Sequence, residues 1–192
     1  MTLEEVREFF DNLSVHWDDC QVDNSPVIND ILDLVGISEG VDVLDVACGT
    51  GVLFPFYLDR NVGSLTAIDL SPEMVKRAME KYPAVKVLCG DAASFNYHKS
   101  FDQIMIYNAF PHFSNPEAFL ASLEKVLTPG GRITVAHGMS RDMINRHHSG
   151  GASPVSQTLA SAEELSVLFP TTMEVDIVVS DHSKYIVSGY LK

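Results

Sequence analysis

The sequence predicts a doubly wound α/β fold: a seven-stranded, mostly parallel sheet with helices on both faces and an antiparallel strand pair at the C-terminus. Three observations predict it. Short apolar runs alternate with amphipathic helical stretches along most of the chain. The first such run ends in a loop of small residues, Ala47-Cys48-Gly49-Thr50-Gly51, and the last two are separated only by the turn Ser180-Asp181-His182-Ser183. Alternation with short connections gives a parallel sheet covered by helices. Ligands of such sheets bind beyond the carboxyl ends of the strands, where the strand order reverses. At 192 residues and 46 % hydrophobic, the chain suits one domain with a full core.

Each element has a local reason. Thr2 and Glu5 form a capping box, and Val6, Phe9, Phe10 and Leu13 follow at helical spacing. A polar stretch from His16 to Asn24 separates this helix from a second, opened by Ser25-Pro26, carrying Ile28, Ile31, Leu32 and Val35, and stopped by Gly36. Val41–Val46 is a buried strand, Leu65–Ile68 a short one, and Ser71-Pro72-Glu73 starts the helix between it and the strand Val85–Leu88. Phe101–Tyr107 is the fourth strand. Asn115-Pro116-Glu117 caps a helix with Phe119, Leu120, Leu123 and Leu127; Thr128-Pro129-Gly130-Gly131 stops it, and Arg132–Ala136 is the fifth strand. The Gly-, Ser- and His-rich stretch from His137 to Ala160 reads as a loop or lid. Ser161 and Glu164 make a second capping box, and Met173–Val179 with Lys184–Leu191 an antiparallel pair. The domain thus divides into a helix and lid segment (1–24), a ligand-binding core (25–136), a substrate loop and helix (137–170) and the strand pair (171–192).

Composition narrows the function classes. With 13 Lys+Arg against 26 Asp+Glu, the net charge is −13, which repels a phosphate backbone and argues against nucleic acid as partner. Three cysteines, Cys20, Cys48 and Cys89, with no C-x-x-C pair, fit a reducing compartment rather than a disulfide scaffold or zinc ribbon. The acidic start Met1-Thr2-Leu3-Glu4-Glu5 does not read as a secretion signal, and no apolar run reaches the roughly 18 residues of a membrane span. The expectation is a cytoplasmic protein without a membrane partner.

The small-residue loop is the sharpest signal. It leaves a strand and precedes a helix, where backbone approaches a ligand and free N–H groups are on offer. A phosphate-binding loop requires G-x-x-x-x-G-K-[ST], and no Lys follows here. A dinucleotide loop requires G-x-G-x-x-G, and its third glycine is replaced by Phe54. Asp45, just before the loop, would repel a pyrophosphate and favours a ligand with a positive region and no phosphate.

Asp45-Val46-Ala47-Cys48-Gly49-Thr50-Gly51 resembles the first motif, [DE]-x-G-x-G-x-G, of the class I S-adenosylmethionine-dependent methyltransferases, a Rossmann-like family. Alanine replaces its first glycine, so position 47 is expected at φ < 0. Ala67–Met74 resembles the end of the family's second strand, with Asp69 18 residues beyond Gly51, close to one βαβ step. Leu88–Ala92 resembles the third motif, Phe101–Asn108 the fourth, and Leu127–Arg132 the turn before strand five. The resemblance spans roughly residues 27–136 and points to generic small-molecule enzymes of the methyltransferase type 11 kind. It implies S-adenosylmethionine as cofactor. Asp45 is expected at its amino group, Ala47, Cys48, Gly49 and Gly51 along it, Asp69 and Leu70 at the ribose, and Asp91 and Ala92 at the adenine. Asn108 is expected beside it, and Trp17 over the adenosyl part or the sulfonium, unless Trp17 merely anchors the first helix together with Phe9 and Phe10.

Asn108-Ala109-Phe110-Pro111 lacks the central proline of the [DN]-P-P-[YF] segment found in amine- and amide-methylating DNA and protein enzymes, which leaves a small-molecule substrate with an O, N, S or C nucleophile. His112 and His137 are the candidate catalytic residues, because an imidazole takes up a proton near neutrality. His137, Arg141, Arg146, His147 and His148 form a basic group for an anionic part of the substrate or a solvated lid. His137, His147 and His148, with Cys20 or a carboxylate, match no standard zinc spacing, so no metal is expected. The N-terminal helix or a second subunit completes the pocket, so a homodimer is among the expected partners. Two other readings stand: a non-catalytic cofactor sensor or partner subunit, and an NAD-dependent oxidoreductase with a degenerate loop.

Overall fold

The structure is a computed structural model describing residues 1–20, 23–149 and 152–192, with the side chain of Cys20 outside the description. Gln21 and Val22 of the polar stretch, and Gly150 and Gly151 of the expected lid, lie outside the described residues.

The elements in chain order are α1 (Leu3–Leu13), α2 (Ser25–Leu34), β1 (Asp42–Val46), α3 (Phe54–Asp59), β2 (Ser64–Asp69), α4 (Pro72–Lys81), β3 (Lys86–Cys89) and β4 (Phe101–Tyr107). There follow α5 (Pro116–Glu124), β5 (Leu127–His137), α6 (Arg141–His148), α7 (Ala162–Ser166), β6 (Met173–Ser180) and β7 (Tyr185–Leu191). The strands form one seven-stranded sheet in the order β3-β2-β1-β4-β5-β7-β6. β1 pairs in parallel with β2 on one side and β4 on the other, and β7 joins β5 and β6 antiparallel. The strand order therefore reverses at β1 and β4, and the crevice opens beyond Val46 and Tyr107.

β1 is buried from Val43 through Val46, as a strand covered on both faces must be. Leu44, Val46, Ile104, Ile106, Ile133 and Val135 face a core shared with Phe119, Leu120 and Leu123 of α5. Val43, Ala67, Met105 and Ala136 face the other, with Ile28, Ile31 and Leu32 of α2 and Phe54 and Tyr57 of α3. Each fully buried side chain of this kind contributes roughly 1.5–3 kcal/mol of transfer free energy. Both capping boxes are present, at Thr2 and at Ser161. Ser71 caps α4 by accepting the Met74 N–H.

Two local expectations are corrected, and one connection holds local structure as well. The stretch His137 to Ala160 is not all loop: it holds α6 and a 3₁₀ turn, Ser153–Val155. Ser140 caps α6 by accepting the Met143 N–H, Ile144 buries its inner face, and Arg146 in the last turn suits the negative helix end. Between α1 and α2 lie two 3₁₀ turns, Ser14–His16 and Asp18–Cys20, the second within the polar stretch. Finally, α5 ends at Glu124, before Thr128-Pro129-Gly130-Gly131, which bulges out within β5 as the register with β4 shifts between Phe101 and Gln103.

Candidate functional site

Two buried carboxylates stand at the crevice. Asp45 is 2 % exposed at the end of β1, and its Oδ2 has no hydrogen-bond partner among the described residues. Burial, and secondarily the charge of Asp69, pushes its carboxyl well above the ordinary range. Asp69, at the end of β2, accepts the Gly49 N–H at 2.8 Å and the Ser71 N–H at 2.9 Å. Burial raises it to about 6, against the opposing pull of those two N–H groups. Two carboxylates this close, one of them unpartnered, are stable as anions only if a positive group arrives.

The loop between them shows why small residues are required. Ala47 lies at φ 55, in the left-handed region, contrary to the expected φ < 0. The turn out of β1 keeps the geometry that glycine would take, and alanine bears a cost of about 1–2 kcal/mol there. Gly51 lies at φ 87, and a Cβ on it would stand 2.6 Å from the buried ring of Phe54, the residue that displaced the third dinucleotide glycine. Cys48 is buried, and its thiol is pushed well up by burial and by Asp69 and Asp45.

The N-terminal segment lies on this loop. Trp17 is half-buried, with its Nε1 3.7 Å from where a Cβ of Gly49 would be, and its ring meets Phe10 edge-on at 5.7 Å. Thus Trp17 both anchors the helix and covers the loop. Asp18 accepts the Thr50 hydroxyl at 2.6 Å and the Lys81 ammonium at 2.9 Å. Asp11 accepts the Ser71 hydroxyl and the Glu73 N–H at the start of α4. Sequence reasoning missed Asp11, Asp18, Thr50 and Lys81, whose pairing across 31 to 63 positions leaves no local signal.

Further along the rim, Leu70 is half-buried and Ala92 buried. Asp91 uses its carboxylate on the Ala93 N–H and the Ser94 hydroxyl, fixing its turn after β3. Asn108 lies at φ 54, and its Oδ1 accepts the Gly138 N–H, so it ties the end of β4 to that of β5. Gly138 has no room for a side chain: a Cβ there would overlap the Tyr107 hydroxyl and the Asn24 amide, which itself donates to the Gly138 carbonyl at 2.7 Å.

On the β4–β5 side the residues are imidazoles. His112 ends a 3₁₀ turn, Phe110–His112, and its Nδ1 lies 2.8 Å from the Val155 carbonyl. A carbonyl only accepts, so Nδ1 carries the proton and Nε2 keeps a lone pair. His137 closes β5 at 1 % exposure, edge-on to Tyr185 at 5.9 Å, and its Nε2 has no partner among the described residues. Burial, the first cause in each case, lowers His112 to about 4 and His137 to about 3. Both are therefore neutral at pH 7. Arg141 donates from Nε to the Leu159 carbonyl and Arg146 from Nε to that of Asp142. Among the described residues, no group of three or more His, Cys, Asp or Glu is arranged to hold a metal ion. Among them, too, no helix is long and apolar enough to cross a membrane.

A small-residue loop at the switch point of a parallel sheet, overlooked by two buried acids, defines a Rossmann-like domain whose crevice is short of positive charge. Residues 43–131 match the family model described as a methyltransferase domain. The demethylmenaquinone methyltransferase of Renibacterium salmoninarum is 31 % identical over 147 residues, covering 69 % of this chain and 58 % of that protein. The methyltransferase solved in complex with the Haloferax volcanii Trm112 methyltransferase activator superposes with a TM-score of 0.78 at 19 % identity, over 95 % of this chain and 97 % of that one. The N-methyltransferase NodS of Bradyrhizobium japonicum, solved with S-adenosyl-L-homocysteine, gives 0.76 at 15 % identity, over 96 % and 97 %. Residues 43–131 thus match a methyltransferase domain, and the fold of the chain is that of the class I S-adenosylmethionine-dependent methyltransferases. The chain spans a little over half the length of the first two curated relatives it matches.

Proposed function

We propose that this chain transfers the methyl group of S-adenosylmethionine to a small-molecule nucleophile. The observation that carries the reading is the pairing of Asp45 and Asp69, buried and short of positive charge, with neutral imidazoles across the crevice. The cofactor supplies a methyl group on a positively charged sulfur, the one centre that a nucleophile displaces in line. In this reading Asp45 takes the amino group, the backbone of Ala47, Cys48, Gly49 and Gly51 follows the ligand, and Asp69 and Leu70 border the ribose. Asp91 and Ala92 meet the adenine, Trp17 covers the adenosyl part and Asn108 shapes the floor. The unpartnered Oδ2 of Asp45 and the closeness of Trp17 to Gly49 support that fit.

His112 and His137 serve the acceptor: His112 Nε2 receives the proton of the nucleophile, and the unpartnered Nε2 of His137 holds a polar atom of the substrate. The protein then has three tasks, namely to align the acceptor, exclude water and accept one proton. The division into segments 1–24, 25–136, 137–170 and 171–192 belongs to the same reading. A quinol is the first substrate class to test, because a curated relative is a demethylmenaquinone methyltransferase. Since Phe10 of the same chain reaches His112, the homodimer expected from the sequence is not needed to complete the pocket. The charge of −13 supports the absence of a nucleic-acid partner, and free Cys48 and Cys89 support a cytoplasmic setting.

Calorimetry with S-adenosylmethionine, then methyl transfer to a panel containing a naphthoquinol, a catechol, an amino sugar and a thiol, tests the proposal. Binding and formation of S-adenosylhomocysteine with one of them is the expected result. Binding without turnover on any of them would make the chain a cofactor sensor or partner subunit; stabilisation by NAD instead of S-adenosylmethionine would restore the oxidoreductase reading.

A further inference from the structure

His148, at the end of α6, packs against His112. Their ring centroids are 5.0 Å apart at an interplanar angle of 80°. On the same imidazole, Phe10 of α1 meets His112 at 4.8 Å and 86°. The third restraint is the Val155 carbonyl on Nδ1, with the Ser156 hydroxyl 3.2 Å away from the same atom. Two edge-to-face contacts fix the ring plane, and the hydrogen bond fixes which nitrogen keeps the lone pair. His112 is thereby held by its own turn after β4 and by three elements remote in sequence, α1, α6 and the turn Ser153–Val155.

We propose that His148 is a positioning residue whose ring holds His112 in the orientation that leaves Nε2 free for the acceptor's proton. This rests on the methyltransferase reading for the reaction itself, while the placement of His112 stands apart from it. In the step concerned, the bond from the acceptor's nucleophilic atom to the methyl carbon forms as the carbon–sulfur bond breaks, and sulfur keeps that electron pair. The acceptor's proton passes to His112 Nε2 and leaves later to water. A neutral His148 suits this step, because a second positive charge 5.0 Å away would oppose the imidazolium that forms. The His148 titration is itself lowered, first by burial, so the ring is uncharged at pH 7.

The test uses the full chain with ¹⁵N-labelled histidine and needs no acceptor. NMR on the wild type is expected to show His112 as the Nδ1–H tautomer with a titration well below the ordinary imidazole range. His148→Ala is expected to mix the two tautomers of His112 and to raise its titration by at least one pH unit as water reaches the ring. His148→Phe, which keeps an aromatic edge there, restores both. A merely structural role for His148 in α6 would move neither quantity while α6 persists. The proposal is overturned if His112 keeps its tautomer and titration in a folded His148→Ala chain, or if His148→Phe fails to rescue them. Should the alanine variant not fold, His148→Gln is read in the same way. If the panel above finds an acceptor, His148→Ala lowers kcat about tenfold, leaves the KM for S-adenosylmethionine unchanged, and His148→Phe recovers most of the loss. Shifts in the spectra without turnover on any acceptor would refute the catalytic reading and leave the positioning intact.

Discussion

The two banks of the crevice solve opposite problems. Along the ends of β1 and β2, Asp45 and Asp69 are buried acids with too little positive charge around them. Along the ends of β4 and β5, His112 and His137 are buried bases too poorly solvated to carry a charge. Burial drives both shifts, yet it raises the carboxylates and lowers the imidazoles, since it disfavours whichever form is charged. In the proposed reading the acidic bank receives the cation of the cofactor, and the neutral imidazole bank receives the acceptor's proton.

The strongest way to break this contrast is Asp69→Ala. It is expected to weaken S-adenosylmethionine binding at least a hundredfold, about 3 kcal/mol, in calorimetry, while circular dichroism shows the fold retained. Next comes pH. With Asp69 at about 6 in the ligand-free protein, a cationic ligand must displace a proton below that value, so affinity should fall at least tenfold for each unit below pH 6, in calorimetry across pH. Thermal scans would not isolate this. A raised carboxylate adds stability below its unfolded value near 4 and loses it as pH climbs through about 6, whereas the lowered histidines withdraw stability as pH drops below about 6.5. Binding separates the two banks. A smaller effect is expected of Asp45→Asn: removing an unpartnered buried acid should raise ligand-free stability by about 1–2 kcal/mol where that acid would have to ionise, in denaturant titrations, while weakening the cofactor. Smallest is Ala47→Gly, which should add about 1 kcal/mol by relieving φ 55 with turnover unimpaired.

The acidic bank was largely legible in the sequence because its signals are local. Asp45 and the loop through Gly51 are contiguous, Asp69 falls one βαβ step later, and Ser71-Pro72 announces α4 within three residues. The sheet was legible for the same reason, each strand being a short apolar run between turn residues. The imidazole bank was legible only as a list of candidates. Nothing near His112 in the chain says that Val155 orients it or that His148 and Phe10 flank it, because those contacts join segments that meet only after folding. α6 was missed since its Gly- and Ser-rich surroundings hide a cap at Ser140 and a single buried Ile144. The φ of Ala47 was misjudged from residue type alone: the turn geometry demanded by β1 overrides alanine's own preference.

The segment from Ser14 to Cys20 is hooked to the body by Asp18, whose partners Lys81 and Thr50 belong to α4 and to the glycine loop. The Lys81–Asp18 pair is partly open to solvent, at 37 % and 42 % side-chain exposure, so dissolved salt weakens it. In the proposed reading a spent nucleoside lies on Gly49 beneath Trp17 and under that hook, so higher ionic strength is expected to shorten its residence there.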